Sequence, residues 1–191
     1  MKNSLVMATL IVSVGIFILP AHAAPQPTSG LYNVKGLIAS KCSLGASSGP
    51  ITVTTNVDKN GKLDPSLNGR TFVITGVLCT TPSTIALKAS ALRINSPRAG
   101  LPNGQSQTAN FTATATGWAS VAATVTTAQT NPLGSPAVFT GASQAQNAAK
   151  VGTVTVSVNN FTPVVRSNGN GSKLIEGPYS GTVTISLTPS S

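Results

Sequence analysis

Tyr179-Ser180-Gly181-Thr182-Val183-Thr184-Ile185-Ser186-Leu187-Thr188 is the stretch that decides the fold. Val183, Ile185 and Leu187 share one parity, and Thr182, Thr184, Ser186 and Thr188 share the other. Side chains alternate faces along a strand, so this is a half-buried strand with an apolar inner face and a hydroxyl outer face. Val154, Val156 and Val158 repeat the pattern opposite Thr153, Thr155 and Ser157. Working outward, Val-, Ile- and Thr-rich runs recur between Gly, Pro and Asn clusters. They predict strands at Leu31–Cys42, Ile51–Val57, Thr71–Cys79, Thr84–Ile94, Ala109–Thr116, Ala119–Thr127, Val151–Val158 and Tyr179–Thr188. Short strands at this spacing mark an all-β sandwich or barrel. Beyond residue 23 only Gln144–Lys150 reads as a single helical turn.

Two of the runs carry finer expectations. Val34, Ile38 and Cys42 share a parity, which points the cysteine into the core. Thr71–Cys79 is apolar on both parities (Phe72, Val73, Ile74, Val77, Leu78), the pattern of a central strand covered on both sides. Turns are marked by Asp58-Lys59-Asn60-Gly61, Pro102-Asn103-Gly104 and Ser167-Asn168-Gly169-Asn170-Gly171. Asn110, Asn160 and Asn170 each open a glycosylation sequon, a pattern that recurs by chance in a Thr-rich chain.

The N-terminus has the three parts of an export signal in order: Lys2, an apolar run from Leu5 to Leu19, and the small-x-small site Ala21-His22-Ala23. The run falls short of the about 20 residues a membrane span needs. Residues 1–23 are therefore expected to be cleaved, leaving 24–191 as a single domain exported through the periplasm to the cell surface or beyond. Cleavage removes the only histidine, His22. Cys42 and Cys79 are the only cysteines, so in an oxidising compartment they are expected to bond to each other. Closing that loop stabilises the fold by about 4 kcal/mol on the chain-entropy view.

Charge excludes some partners and leaves others. Removing Lys2 from the twelve Lys and Arg leaves eleven against three carboxylates, a formal +8. These cations are spread singly, unlike the clustered Lys and Arg of nucleic-acid readers, so no nucleic-acid partner is expected. An anionic or glycan surface remains open as a partner. From Ala99 to Ala149 the chain carries no charge at all.

Catalytic chemistry finds no residue set. A serine nucleophile lacks its histidine base. Asp58 and Asp64 flank an Asn-Gly turn and read as exposed turn residues, while Glu176 stands alone before Gly177-Pro178. Two sulfurs without histidine give no zinc site, and the acids are too sparse for calcium. The expectation is a protein that is not an enzyme, with no cofactor and no metal. Trp118, the only tryptophan, reads first as core and second as a ligand platform.

Three segments together carry a resemblance. They are Asn33-Val34-Lys35-Gly36-Leu37-Ile38-Ala39-Ser40-Lys41-Cys42, then Thr71–Cys79 with Thr84–Ala89, and Glu176-Gly177-Pro178-Tyr179 running on to Leu187. In this the chain resembles the spore coat protein U domain, the module of archaic chaperone–usher pilus subunits. The resemblance implies an immunoglobulin-like, pilin-type β-sandwich with one disulfide, Cys42–Cys79, and with its final strand missing. It implies a groove and chaperone-binding strand at Tyr179, Val183, Ile185 and Leu187. A donor segment would lie in 24–34, with Leu31, Tyr32 and Val34 as its apolar knobs. The implied partners are a periplasmic chaperone, an usher and neighbouring subunits, with a homo-polymer of the same chain among the options. The implied role is a structural subunit of a surface fibre (pilus or fimbria) or coat that contributes to adhesion or biofilm.

Two features depart from the resemblance. The chain ends Thr188-Pro189-Ser190-Ser191 without an aromatic residue, and Ala24-Pro25-Gln26-Pro27 offers little apolar alternation. They leave open a domain that caps or decorates a fibre. A self-complete secreted binding module, resting on Trp118 and the uncharged middle, is the alternative.

Overall fold

The computed structural model describes residues 39–45, 49–165 and 173–190, all within one compact unit, Leu37–Ser191. The expected signal, the donor knobs Leu31, Tyr32 and Val34, most of the expected first strand and the Ser167–Gly171 loop lie outside the described residues. The chain is all-β. Its strands are β1 (Cys42–Ser43), β2 (Ile51–Val57), β3 (Arg70–Cys79), β4 (Ser83–Ile94), β5 (Gln105–Ser106), β6 (Thr108–Thr116), β7 (Ala123–Thr126), β8 (Val138–Thr140), β9 (Gln144–Gln146), β10 (Lys150–Pro163), β11 (Lys173–Leu174) and β12 (Gly177–Pro189). One 3-10 turn, Pro65–Leu67, is capped by the Asp64 carboxylate, which accepts from Ser66 N at 2.9 Å.

Ten strands form one curled antiparallel sheet in the order β1-β3-β10-β6-β4-β12-β2, with β7 beside β6 and with β8 and β9 beside β4. The curl narrows at β4 and β6, which pair only at Leu92↔Ala109 and Arg93↔Thr108. Past that point β4 pairs with β8 and β9 while β6 pairs with β7, so the two halves diverge and face inward. The small partner sheet, β11 with β5, is parallel.

The alternation read from the sequence fills the space between the halves. Val154, Val156 and Val158 of β10, Phe111 and Ala113 of β6, Leu87 and Leu92 of β4 and Val183 of β12 are fully buried in one apolar cluster. Opposite residues such as Thr184, Ser186 and Thr188 stand exposed. Burying each large apolar side chain contributes about 1.5–3 kcal/mol, so the valine-rich strands supply most of what holds the halves together.

Cys42 and Cys79 sit directly opposite each other in the β1–β3 ladder, with Cα atoms 4.2 Å apart, and are disulfide-bonded. Cys42 packs half-buried against the core, the direction its parity expects, and Cys79 is fully buried. The bond fastens a two-residue edge strand that has little ladder of its own.

Several expectations need correction. Thr71–Cys79 is neither central nor covered on both sides: it lies next to the short edge strand β1, and Val73 and Leu78 are 60% and 38% exposed. Its double parity comes from a bulge, where the register with β10 slips between Gly152 and Val154. Gly76 lies in the left-handed region there (φ 70°), and the extra residue lets Ile74 and Val77 both face inward. The expected strand at Ala119–Thr127 shrinks to Ala123–Thr126, because Gly117 (φ 89°) turns the chain and Trp118 drops into the core. Gln144–Lys150 is not a helical turn. Gln144–Gln146 forms β9, paired with Ser83–Ile85, since the exposed edge of β4 offers a ladder that a lone turn cannot match.

Candidate functional site

β12 positions the residues that the sequence singles out. It pairs with β2 from Gly177↔Val57 down to Val183↔Ile51, and with β4 on the other side from Tyr179↔Ile94 onward, so Tyr179–Val183 lies between two strands. There β2 ends. Pairing with β4 runs on to Pro189↔Ser83, so among the described residues Thr184–Pro189 has a partner on one edge only. Ser190 N donates to Pro82 O at 2.7 Å on the β4 side. Backbone groups alternate sides along a strand, so Ile185, Leu187 and Pro189 turn theirs toward the other edge. Pro189 thus places its missing N–H where no β4 bond is lost, the position a strand tolerates for proline.

Burial of the inward side chains follows the same gradient. Tyr179 and Val183 are 0% exposed, Ile185 is 8% exposed, and Leu187 is half-buried. The far end of β12 is therefore an apolar strand with one edge unpaired among the described residues. The disulfide-held edge strand β1 approaches β12 as well.

Tyr179 anchors the near end. Its hydroxyl donates to Ile175 O at 2.9 Å, four residues upstream, with Ser106 O at 3.4 Å. Burial pushes the phenol pKa up to about 12, against the Ile175 hydrogen bond and the Arg98 charge, both of which pull it down. Tyr179 is a structural pin here, and only Val183, Ile185 and Leu187 lead toward the free edge.

Trp118 is core. It is 1% exposed, its indole N–H donates to Ser83 Oγ at 3.2 Å, and the Lys150 ammonium stands 5.6 Å from the ring centroid while donating to Gly117 O and Trp118 O. A ligand cannot stack on it. Asp58 and Asp64 are exposed turn residues, as the sequence suggests. Backbone N–H donors from Lys62 and Asn60 lower the Asp58 pKa, and the Ser66 hydroxyl and N–H lower that of Asp64. Asn110, within a sequon, is half-buried and bonds Gln129 through both ends of its amide.

Compared with family models, with curated proteins and with solved structures, the chain matches none.

Proposed function

We propose that this chain is a non-catalytic structural subunit of a bacterial surface fibre or coat, assembled by donor-strand exchange, with Thr184–Pro189 of β12 as the acceptor edge. The observation that carries the reading is the mismatch in length between β12 and β2. Among the described residues pairing on that side stops at Val183↔Ile51 while an apolar face continues through Ile185 and Leu187. An extended segment from another chain would add there as a further strand, drawing affinity from main-chain bonds and register from side-chain knobs. An unfilled edge of this kind invites non-specific pairing, which is the physical reason for a periplasmic chaperone ahead of an usher and a neighbouring subunit.

The immunoglobulin-like, pilin-type sandwich is part of the same proposal. It is supported by the two inward-facing halves of the curled sheet. It is supported too by Tyr179, at the start of its strand, bonding back to the Ile175 carbonyl in the manner of a tyrosine corner. Export through residues 1–23, donation by Leu31, Tyr32 and Val34, and a role in adhesion or biofilm complete the reading. The test is equilibrium unfolding of the chain from Ala24 onward, alone and with a peptide spanning Ala24–Leu37. The expected result is a raised midpoint and slowed unfolding with peptide. A stable domain indifferent to the peptide, and to co-expression with any matching chaperone, would sink the proposal.

A further inference from the structure

The outer face of the paired half of β12 carries a cleft that strand exchange does not use. It encloses about 600 Å³ beside Thr52, Thr182 and Ser90, neighbours in register across β2, β12 and β4. Ser90 Oγ lies 2.8 Å from Thr182 Oγ1 and accepts from Thr182 N at 3.1 Å; Thr52 and Ser180 add two more hydroxyls, that of Ser180 donating to Asn95 Oδ1 at 2.7 Å. Pro97 and Pro136 form its sides, and Arg93 enters it. The Arg93 Nε is buried without an acceptor among the described residues, and Nη1 makes only a long bond to Ser135 Oγ at 3.3 Å. No carboxylate lines the cleft. Arginine stays charged, and its Nη1 lies exposed with only the long Ser135 bond, so an anion in the cleft would give the guanidinium the acceptor it lacks.

The walls are held in place from below. Gln107 is 2% exposed, and its amide bridges both loops: Oε1 accepts from Arg98 N at 2.9 Å, and Nε2 donates to Leu133 O at 3.1 Å. Gln129 fastens the second loop, donating to Ser135 O and accepting from Ala137 N, each at 3.3 Å. A cleft whose sides are fixed by buried amides is preorganised and loses less entropy on binding.

We propose that this cleft binds a carboxylate-bearing sugar. Arg93 takes the carboxylate, the hydroxyls of Ser90, Ser180 and Thr182 take sugar hydroxyls, and the two prolines face the ring. The volume falls in the range of small-ligand pockets, about 300–1,000 Å³. An acidic peptide is disfavoured because both edges of β12 here are already paired, leaving no ladder for an extended chain. The inference stands apart from strand exchange, which concerns the other end of β12.

The test is an NMR titration of the chain from Ala24 onward with sodium glucuronate, glucose, sodium acetate and N-acetylglutamate, read at the Arg93 Nε–H. The expected result is saturable binding of glucuronate that moves this signal, with each other probe about tenfold or more weaker, the loss expected when a charged or hydroxyl partner is missing. Followed instead at the backbone amides of Ser90 and Thr182, saturable glucuronate binding should be abolished by Arg93→Gln and weakened several-fold by Thr182→Val. The absence of a saturable glucuronate response at Arg93 overturns the proposal. So does acetate or N-acetylglutamate binding as tightly as glucuronate. If Arg93→Gln fails to fold, the wild-type Nε–H titration together with Thr182→Val decides.

Discussion

The two halves of β12 have similar composition and opposite surroundings. Tyr179–Val183 lies between β2 and β4, its inward side chains are sealed, and the Tyr179 hydroxyl ties it to the turn that precedes it. Thr184–Pro189 keeps the same alternation of apolar and hydroxyl residues but, among the described residues, pairs with β4 alone. The difference teaches that strand pattern sets which face is buried, while the reach of the neighbouring strand sets whether the edge is finished. The first half behaves as scaffold, and the second as a strand waiting for a partner.

The comparison can be broken or sharpened by experiment. The largest effect is expected from the disulfide, which fastens the edge strand β1 to β3. Replacing Cys42 and Cys79 together with Ser should lower stability by about 4 kcal/mol in denaturant unfolding and weaken capture of the donor peptide. Next comes the contrast along β12 itself. Val183→Ala should lose about 2 kcal/mol, whereas Leu187→Ala should lose less than about 1 kcal/mol in the isolated domain, with its cost rising once donor peptide is bound. Equal costs for the two in the free domain would erase the distinction.

Tyr179→Phe should lose about 1–2 kcal/mol, because the buried Ile175 carbonyl is left without its donor. The same residue gives a pH signature. Its phenol ionises near 10 when unfolded and near 12 when folded, so its contribution is fully present below pH 10 and is lost as pH rises through 12. The difference in stability between wild type and Tyr179→Phe should therefore shrink between pH 10 and 12. The smallest effect is expected at the chain end. Pro189→Val should alter monomer stability by no more than about 0.5 kcal/mol yet, by adding a donor to the open edge, increase self-association in size-exclusion chromatography.

Much of the fold was legible in single residues. Alternation at Val183-Thr184-Ile185 and at Val154–Val158 named the inner faces, and the lone cysteine pair named the disulfide. Asp58-Lys59-Asn60-Gly61 folds as a turn, with Gly61 N donating to Asp58 O at 2.9 Å and φ at 77°. The bulge at Gly76 was not legible, because two apolar parities in one run fit a doubly covered strand equally well. The roles of Gln107 and Gln129 were hidden for a different reason. A glutamine in an uncharged Thr- and Ala-rich stretch carries no periodic signal, and it turns inward only because the backbone of distant loops satisfies its amide. Of the acceptor strand, the sequence pointed to the inward residues Val183, Ile185 and Leu187. It could not say where β2 would stop, since that depends on tertiary register.

The most direct measurement is amide hydrogen exchange along β12, with and without the Ala24–Leu37 peptide. The account predicts slow exchange at Gly181 and Val183 in the free domain, where both edges are paired, and fast exchange at Ile185 and Leu187, which become protected when the peptide binds. Equal protection at all four amides before any peptide is added would contradict it.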